Sequence, residues 1–173
     1  MINWIYFPKS KKLPDHLNNV ISVFENHSTK IDSSKNDNNE HRLNSNAVLK
    51  IIENDLEASG YAVEKGKKKI EKIRRPVLYG KNGLEELSFE ADGYNKLTKT
   101  VIEVEAGRAV INYQFLKDIF QASMMIDTDY LVLAVRNSYK ANDDFDKINK
   151  FLEITFLTNR ITFDLKGILL VGY

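Results

Sequence analysis

The stretch Thr100-Val101-Ile102-Glu103-Val104-Glu105-Ala106 sets two carboxylates into a run otherwise rich in β-branched and apolar residues, which predicts a strand. Side chains alternate along a strand, so Glu103 and Glu105 share one face while Ile102 and Val104 take the other. Two carboxylates on one face of an inner strand repel each other and lose hydration unless positive charge meets them. A hard divalent cation would meet both. A solvated sheet face, or neutralisation by Arg108 and the basic residues upstream, are the other ways to place the same pair.

Working outward, Glu86 to Asp92 alternates, with Leu87, Phe89 and Ala91 on one face and Ser88, Glu90 and Asp92 on the other. Residues 93–99 have turn composition, so strands 86–92 and 100–106 are expected to form a hairpin that carries Asp92 to Glu103 across the ten residues 93–102. On the far side, Val110, Tyr113, Leu116, Phe120 and Met124 recur at helical spacing over 109–124, and Tyr130 to Val135 is a continuous apolar strand. Strand, helix and strand in that order imply a right-handed parallel crossover. A helix over 143–157, with Phe145, Ile148, Leu152 and Phe156 inward, and a closing strand at 168–171 follow. Before the hairpin, Ser45 is the expected cap of a helix over 46–59 that Gly60 ends, with Val48, Leu49, Ile52 and Leu56 as its apolar stripe. Glu53 stands one turn after Leu49, at the edge of that stripe. A short strand is expected over 61–64. The elements add up to an α/β fold, a mixed central β-sheet flanked by helices.

The chain has 173 residues, an ordinary length for one domain, and 43% hydrophobic with 28% charged residues suits a globular protein. A single domain over 1–173 is expected, with its function-bearing core over 45–173. Residues 1–25 read as an N-terminal strand and helix extension, with the helix at 15–25 bearing Leu17, Val20, Ile21 and Phe24 behind Pro14. Residues 26–44, almost devoid of apolar side chains, read as a mobile polar linker. No apolar run approaches the ~20 residues that span a bilayer, and no secretory leader is evident. Without cysteine there are no disulfides, thiolate zinc sites or cysteine nucleophiles, which suits a cytoplasmic protein. His16, His27 and His41, the three histidines, lie in the N-terminal helix and linker and are expected at the surface, away from any catalytic centre. No glycine loop of the nucleotide-binding type occurs.

Helix, hairpin aspartate, acidic-x-acidic strand, helix and strand, over about residues 46 to 136, resemble the core of the PD-(D/E)xK nuclease superfamily, which includes many type II restriction endonucleases. The resemblance implies a restriction endonuclease-like fold and Mg²⁺-dependent hydrolysis of DNA phosphodiester bonds, with Mn²⁺ as a substitute ion. It places Asp92 at the motif's aspartate, Glu103 at its acidic residue, Glu105 at its lysine, and Glu53 at the glutamate of the preceding helix. Ala91 stands where the motif's name has proline. Asp92, Glu103 and Glu105 are then the expected metal ligands, and a homodimer would serve double-strand cuts. A catalytically inactive DNA-binding or protein-interaction module on the same fold is the alternative.

Net charge is only +1, yet Lys65, Lys67, Lys68, Lys69, Lys72, Arg74 and Arg75 crowd one segment with Glu71 alone opposing them. Phosphate contacts supply much of the affinity for DNA, so these residues and Arg108 are the expected DNA contacts. Arg108 could instead pair with Glu105 or Asp118.

Overall fold

The computed structural model describes residues 1–33, 43–107, 109–139 and 143–173. Its centre is a six-stranded mixed sheet in the order β1 (Asn3–Phe7), β8 (Gly167–Gly172), β7 (Tyr130–Val135), β6 (Thr100–Glu105), β5 (Gly93–Asn95) and β2 (Ala62–Val63). Strands β6, β7 and β8 run parallel, as apolar strands buried on both faces do, and the outer pairings are antiparallel. A separate two-stranded sheet is made by β3 (Ile73–Tyr79) and β4 (Glu85–Ala91).

Strand alternation divides the core into two layers. Ile102, Val104, Val132, Ala134, Leu169 and Val171 face one way, onto α1 (Asp15–Asn26), α2 (Ser28–Ile31) and α3 (Ser45–Ala58). Val101, Leu131, Leu133, Val135, Ile168 and Leu170 face the other way, where α4 (Gln114–Met124) and α5 (Asp144–Thr158) bury Phe115, Ile119, Ile148 and Leu152. Glu103 and Glu105 follow Val101 at intervals of two, so they lie on the α4 side. Among the described residues, no helix is long and apolar enough to cross a membrane.

The expected elements recur with four corrections. The hairpin partner of β6 is the three-residue β5, while β4 pairs with β3, an element absent from the sequence reading. The Asn95 side chain accepts from the backbone N–H groups of Leu97 and Thr98 at 3.0 and 3.1 Å, which tightens the turn and shortens the hairpin. Helix α4 begins at Gln114 rather than 109, because Tyr113 adopts a left-handed conformation at φ 51°. Its buried face is Phe115, Asp118, Ile119 and Ala122, while Tyr113, Phe120 and Met124 of the expected stripe stay exposed. Finally, β1, α1 and α2, all before residue 45, belong to the core.

That last difference has a clear physical origin. Strand β1 closes the edge of the central sheet against β8, and α1 buries Leu17, Val20, Ile21, Val23 and Phe24. Within the expected linker, Ile31 is 1% exposed and the buried Ser33 hydroxyl donates to the Tyr173 carbonyl. One apolar residue at the end of a helical turn is enough to anchor a polar tract, and composition averages conceal it. The rest of that tract, 34–42 with His41, lies outside the described residues. Asn44 rather than Ser45 caps α3, accepting from the Ala47 N–H at 2.9 Å.

Phe24 is fully buried and stacks on Tyr173 at 6.4 Å between ring centroids. Phe24→Ala is therefore expected to cost about 3–5 kcal/mol in urea unfolding. A cost under ~1 kcal/mol would mean that α1 is an undocked extension.

Candidate functional site

Asp92 is the residue between β4 and β5, where the chain leaves the small sheet and enters the large one. Gly93 pairs with Ile102, and continuing that antiparallel register sets Asp92 opposite Glu103. Asp92 Oδ2 accepts from the Val104 N–H at 2.7 Å, which fixes the carboxylate across the end of the hairpin. Asp92, Glu103 and Glu105 all keep partial exposure, so solvent reaches the residues that carry the acids. The sequence-predicted trio is thus brought together, though by β5 rather than by β4.

A fourth acid joins them from the opposite layer. Asp118, on the buried face of α4, is 2% exposed, and its Oδ2 has no hydrogen-bond partner. Lys117, one residue earlier on α4, approaches Asp118 Oδ1 at 3.6 Å. Glu64, just past β2, donates its N–H to the Asp92 carbonyl at 2.8 Å and pairs its side chain with Lys72 at 2.8 Å.

The electrostatics follow from this crowding. Burial, and the charges of Glu64 and Asp118, push the Asp92 carboxyl up to about 6 against the pull of the Val104 N–H and Lys72. Burial raises Glu103 well above the usual carboxylate range, and Asp92, Asp118 and Glu105 add to it while Lys117 opposes. Burial pushes Glu105 up to about 7, helped by the charges of Asp118 and Asp92 and opposed by Lys117. Burial also raises Asp118, with Lys117 and Glu105 acting the other way. Among the described residues, Asp92, Glu103 and Glu105 make no salt bridge, so the neutralisation by basic side chains considered from the sequence is not found there.

Whether this donor set suits a divalent cation is a question of number and charge. No three acidic or histidine side chains among the described residues surround one point at which an ion would sit, so Asp92, Glu103 and Glu105 do not form the three-ligand centre expected from the sequence. Mg²⁺ requires less. It keeps several waters and takes one or two carboxylates, and the adjacent Asp92 and Glu103, which make no salt bridge among the described residues, offer those two.

Other sequence candidates fall elsewhere. Glu53 is buried, but its oxygens meet Lys50 at 2.7 Å and Lys65 at 2.5 Å, and these hydrogen bonds hold its carboxyl below the usual range. It is an ion-paired residue of α3 rather than a member of the acidic cluster. The basic segment divides in two. Lys65 is held by Glu53 and Glu57, Lys72 by Glu64 and Glu90, and Arg74 by Ser88 and Glu85. Arg75 lies 3.7 Å over the Tyr94 ring and donates to the Ile126 carbonyl. Lys67, Lys68 and Lys69 are exposed and make no salt bridge among the described residues. Arg108 lies outside the described residues. The two described histidines are less superficial than expected: His16 meets the Tyr130 ring edge-on at 4.8 Å and His27 contacts Asp55 at 2.9 Å.

Glu64 escaped the sequence reading, and Asp118 entered it only as a possible partner of Arg108. The signal for Asp118 was present in the phase of α4: taking Phe115, Ile119 and Ala122 as the inner stripe puts an aspartate in its middle.

The raised carboxyls carry a sign. The folded chain holds these protons to higher pH than the unfolded chain, so their contribution is full below ~4 and is lost as pH rises through about 6 for Asp92 and about 7 for Glu105. In chelator, the melting temperature of the wild type relative to Glu103→Gln should therefore fall from pH ~4.5 to pH ~7.5. A gap between the two that stays constant over that window would mean the acids are not electrostatically crowded.

The architecture has a solved counterpart. Restriction endonuclease BglII complexed with a DNA 16-mer superposes with a TM-score of 0.54 over 99% of this chain and 77% of that one, at 14% identity. No family model and no curated protein matches the sequence. What this chain shares with BglII is the fold: a mixed sheet flanked by helices, of restriction endonuclease type.

Proposed function

We propose that this protein is a divalent-metal-dependent endonuclease acting on DNA. The supporting observation is the pair Asp92 and Glu103, held across the end of a hairpin and without a salt bridge among the described residues, in a fold shared with an endonuclease whose structure holds DNA. In this proposal Asp92 and Glu103 hold Mg²⁺, or Mn²⁺ in its place, and Glu105 adds oxygens on the same face. When bound, the ion acidifies a water and offsets the charge that develops on the phosphate.

The chain's own residues do the rest. Val104 N–H holds the Asp92 carboxylate in place, so it need not reorient to receive a ligand. Buried walls on both sides keep the local dielectric low and strengthen every charge interaction there. The partial exposure of Asp92, Glu103 and Glu105 leaves the site open to a substrate backbone. Lys67, Lys68 and Lys69, exposed and without a salt bridge among the described residues, supply phosphate contacts, and two copies of the chain would be needed to cut both strands of a duplex at once.

Plasmid cleavage with Mg²⁺ and with EDTA tests the activity. Glu103→Gln should reduce cleavage by about a hundredfold or more, as expected for losing a few kcal/mol of charge stabilisation, while DNA binding in Ca²⁺ is retained. Binding without metal-dependent cleavage in the wild type would instead identify a DNA-binding module on this fold. Replacing Lys67, Lys68 and Lys69 together by alanine should weaken DNA binding and flatten its log-log salt slope by about 0.9 per lost phosphate contact. An unchanged slope would remove these lysines from the interface.

A further inference from the structure

Where β6 ends, its backbone is gripped at two successive residues. The Val104 N–H donates to Asp92 Oδ2 at 2.7 Å, and the Glu105 carbonyl accepts from the Tyr173 hydroxyl at 3.0 Å. Two residues on, Gly107 turns the chain at φ 101°, a conformation that favours glycine, and a Cβ added there would meet the Tyr139 ring at 2.5 Å. Glu103 and Glu105 stand on the strand that is held in this way.

Tyr173 reaches that strand from two strands away. Its N–H donates to the Val135 carbonyl at 3.0 Å and its own carbonyl accepts from the Asn137 N–H at 2.8 Å, which continues the pairing of β8 with β7. Its ring is buried in the layer of α1, α2 and α3, where it stacks on Phe24, and the Ser33 hydroxyl donates to its carbonyl. The side chain thus spans β7 and ends on β6. Glu103 and Glu105 face α4, on the other side of the sheet, so the hydroxyl acts on them through the backbone alone. Stacking and backbone bonds already fix the ring, so the hydroxyl bond orders little more of Tyr173, and its constraint falls on the strand.

We propose that Tyr173 is a positioning residue for the acidic site: its hydroxyl fixes the backbone at Glu105, and with it the direction in which Glu103 and Glu105 leave the strand. This role rests on the reading of Asp92 and Glu103 as a cation site. Through Phe24 and Ser33 it also makes the docking of α1 and α2 a condition for an ordered site, although neither helix reaches the acids. A buried tyrosine hydroxyl takes a partner in any core. The distinguishing feature of this one is the carbonyl it takes, which belongs to an acid of the site.

The test is calorimetric titration of the DNA-free protein with Mn²⁺ alone, for the wild type, Tyr173→Phe and Thr155→Val, with melting temperatures in EDTA. Thr155→Val is the comparison, since it too removes a buried hydroxyl that donates to a carbonyl, that of Phe151 at 2.9 Å, but within α5, which packs on β1 and β8. Tyr173→Phe keeps the ring and should weaken Mn²⁺ binding by about tenfold, the lower end for residues that orient a metal ligand. Thr155→Val should lower the melting temperature at unchanged Mn²⁺ affinity. Affinity that falls equally in both variants would overturn the proposal and make the loss one of stability. Affinity unchanged in Tyr173→Phe would overturn it and leave Tyr173 an ordinary core residue. If Tyr173→Phe does not fold, Phe24→Leu, which loosens the ring and leaves the hydroxyl in place, should weaken Mn²⁺ binding relative to Thr155→Val, and an unchanged affinity there is equally fatal. A wild type that binds Mn²⁺ no better than Tyr173→Phe removes Tyr173 alone, whereas a wild type that binds none removes the Asp92 and Glu103 site with it.

Discussion

Like charge held out of water organises this molecule. Asp92, Glu103, Glu105 and Asp118 arrive from a sheet junction, a central strand and a helix, and the other three all raise the proton affinity of Glu103. A fold selected for stability alone would place apolar residues there, as it does one pair along β6, where Val101 meets Leu131 on the same face. The excess stability of the surrounding core tolerates the acids. Strands β6, β7 and β8 are buried on both faces, and five of the flanking elements press on them.

Basic side chains show the complementary logic. Glu53, Glu57, Glu64 and Glu90 are each matched to a lysine. Asp92 and Glu103 have no such pair among the described residues, and that contrast sets them apart from these four glutamates. Sequence counting could not separate these populations, since a lysine eight or twelve residues from a glutamate in sequence carries no sign of whether the fold brings them together. Seven basic residues in one run looked like a single surface, and of these Lys67, Lys68 and Lys69 face outward without a salt bridge among the described residues.

Much of the fold was legible because its central strands are long and apolar. The periodicities of β6, β7, β8, α3 and α5 each report burial directly, and the alternation at Glu103 and Glu105 fixed their common face. Short or anchored pieces were not legible. Strand β5 has three residues and no pattern of its own, so β4 with its seven took its place in the expected hairpin. The apolar residues of α4 cover more than half its circumference, which left two phases open, and the wrong one turned Asp118 outward. Strand β1 was read as part of an N-terminal extension, when its role is to end the sheet by pairing with β8, over 160 positions away. Contacts at that separation leave no local trace.

The β3 and β4 hairpin is tied to the remainder of the molecule at both ends of the acidic cluster. At one end its chain runs straight into Asp92. At the other, the Pro76 carbonyl accepts from the Ile126 N–H at 2.8 Å, and Arg75 donates to the Ile126 carbonyl at 2.9 Å, in the loop that follows α4. Hairpin, Asp92 and the end of α4 therefore form one linkage, with the carboxylates of Asp92 and Asp118 mounted on its two arms. Any load applied to the hairpin, by a groove wall or a neighbouring backbone, is transmitted to both arms together, so the spacing between the strand acids and the helix acid is geared to the position of the hairpin.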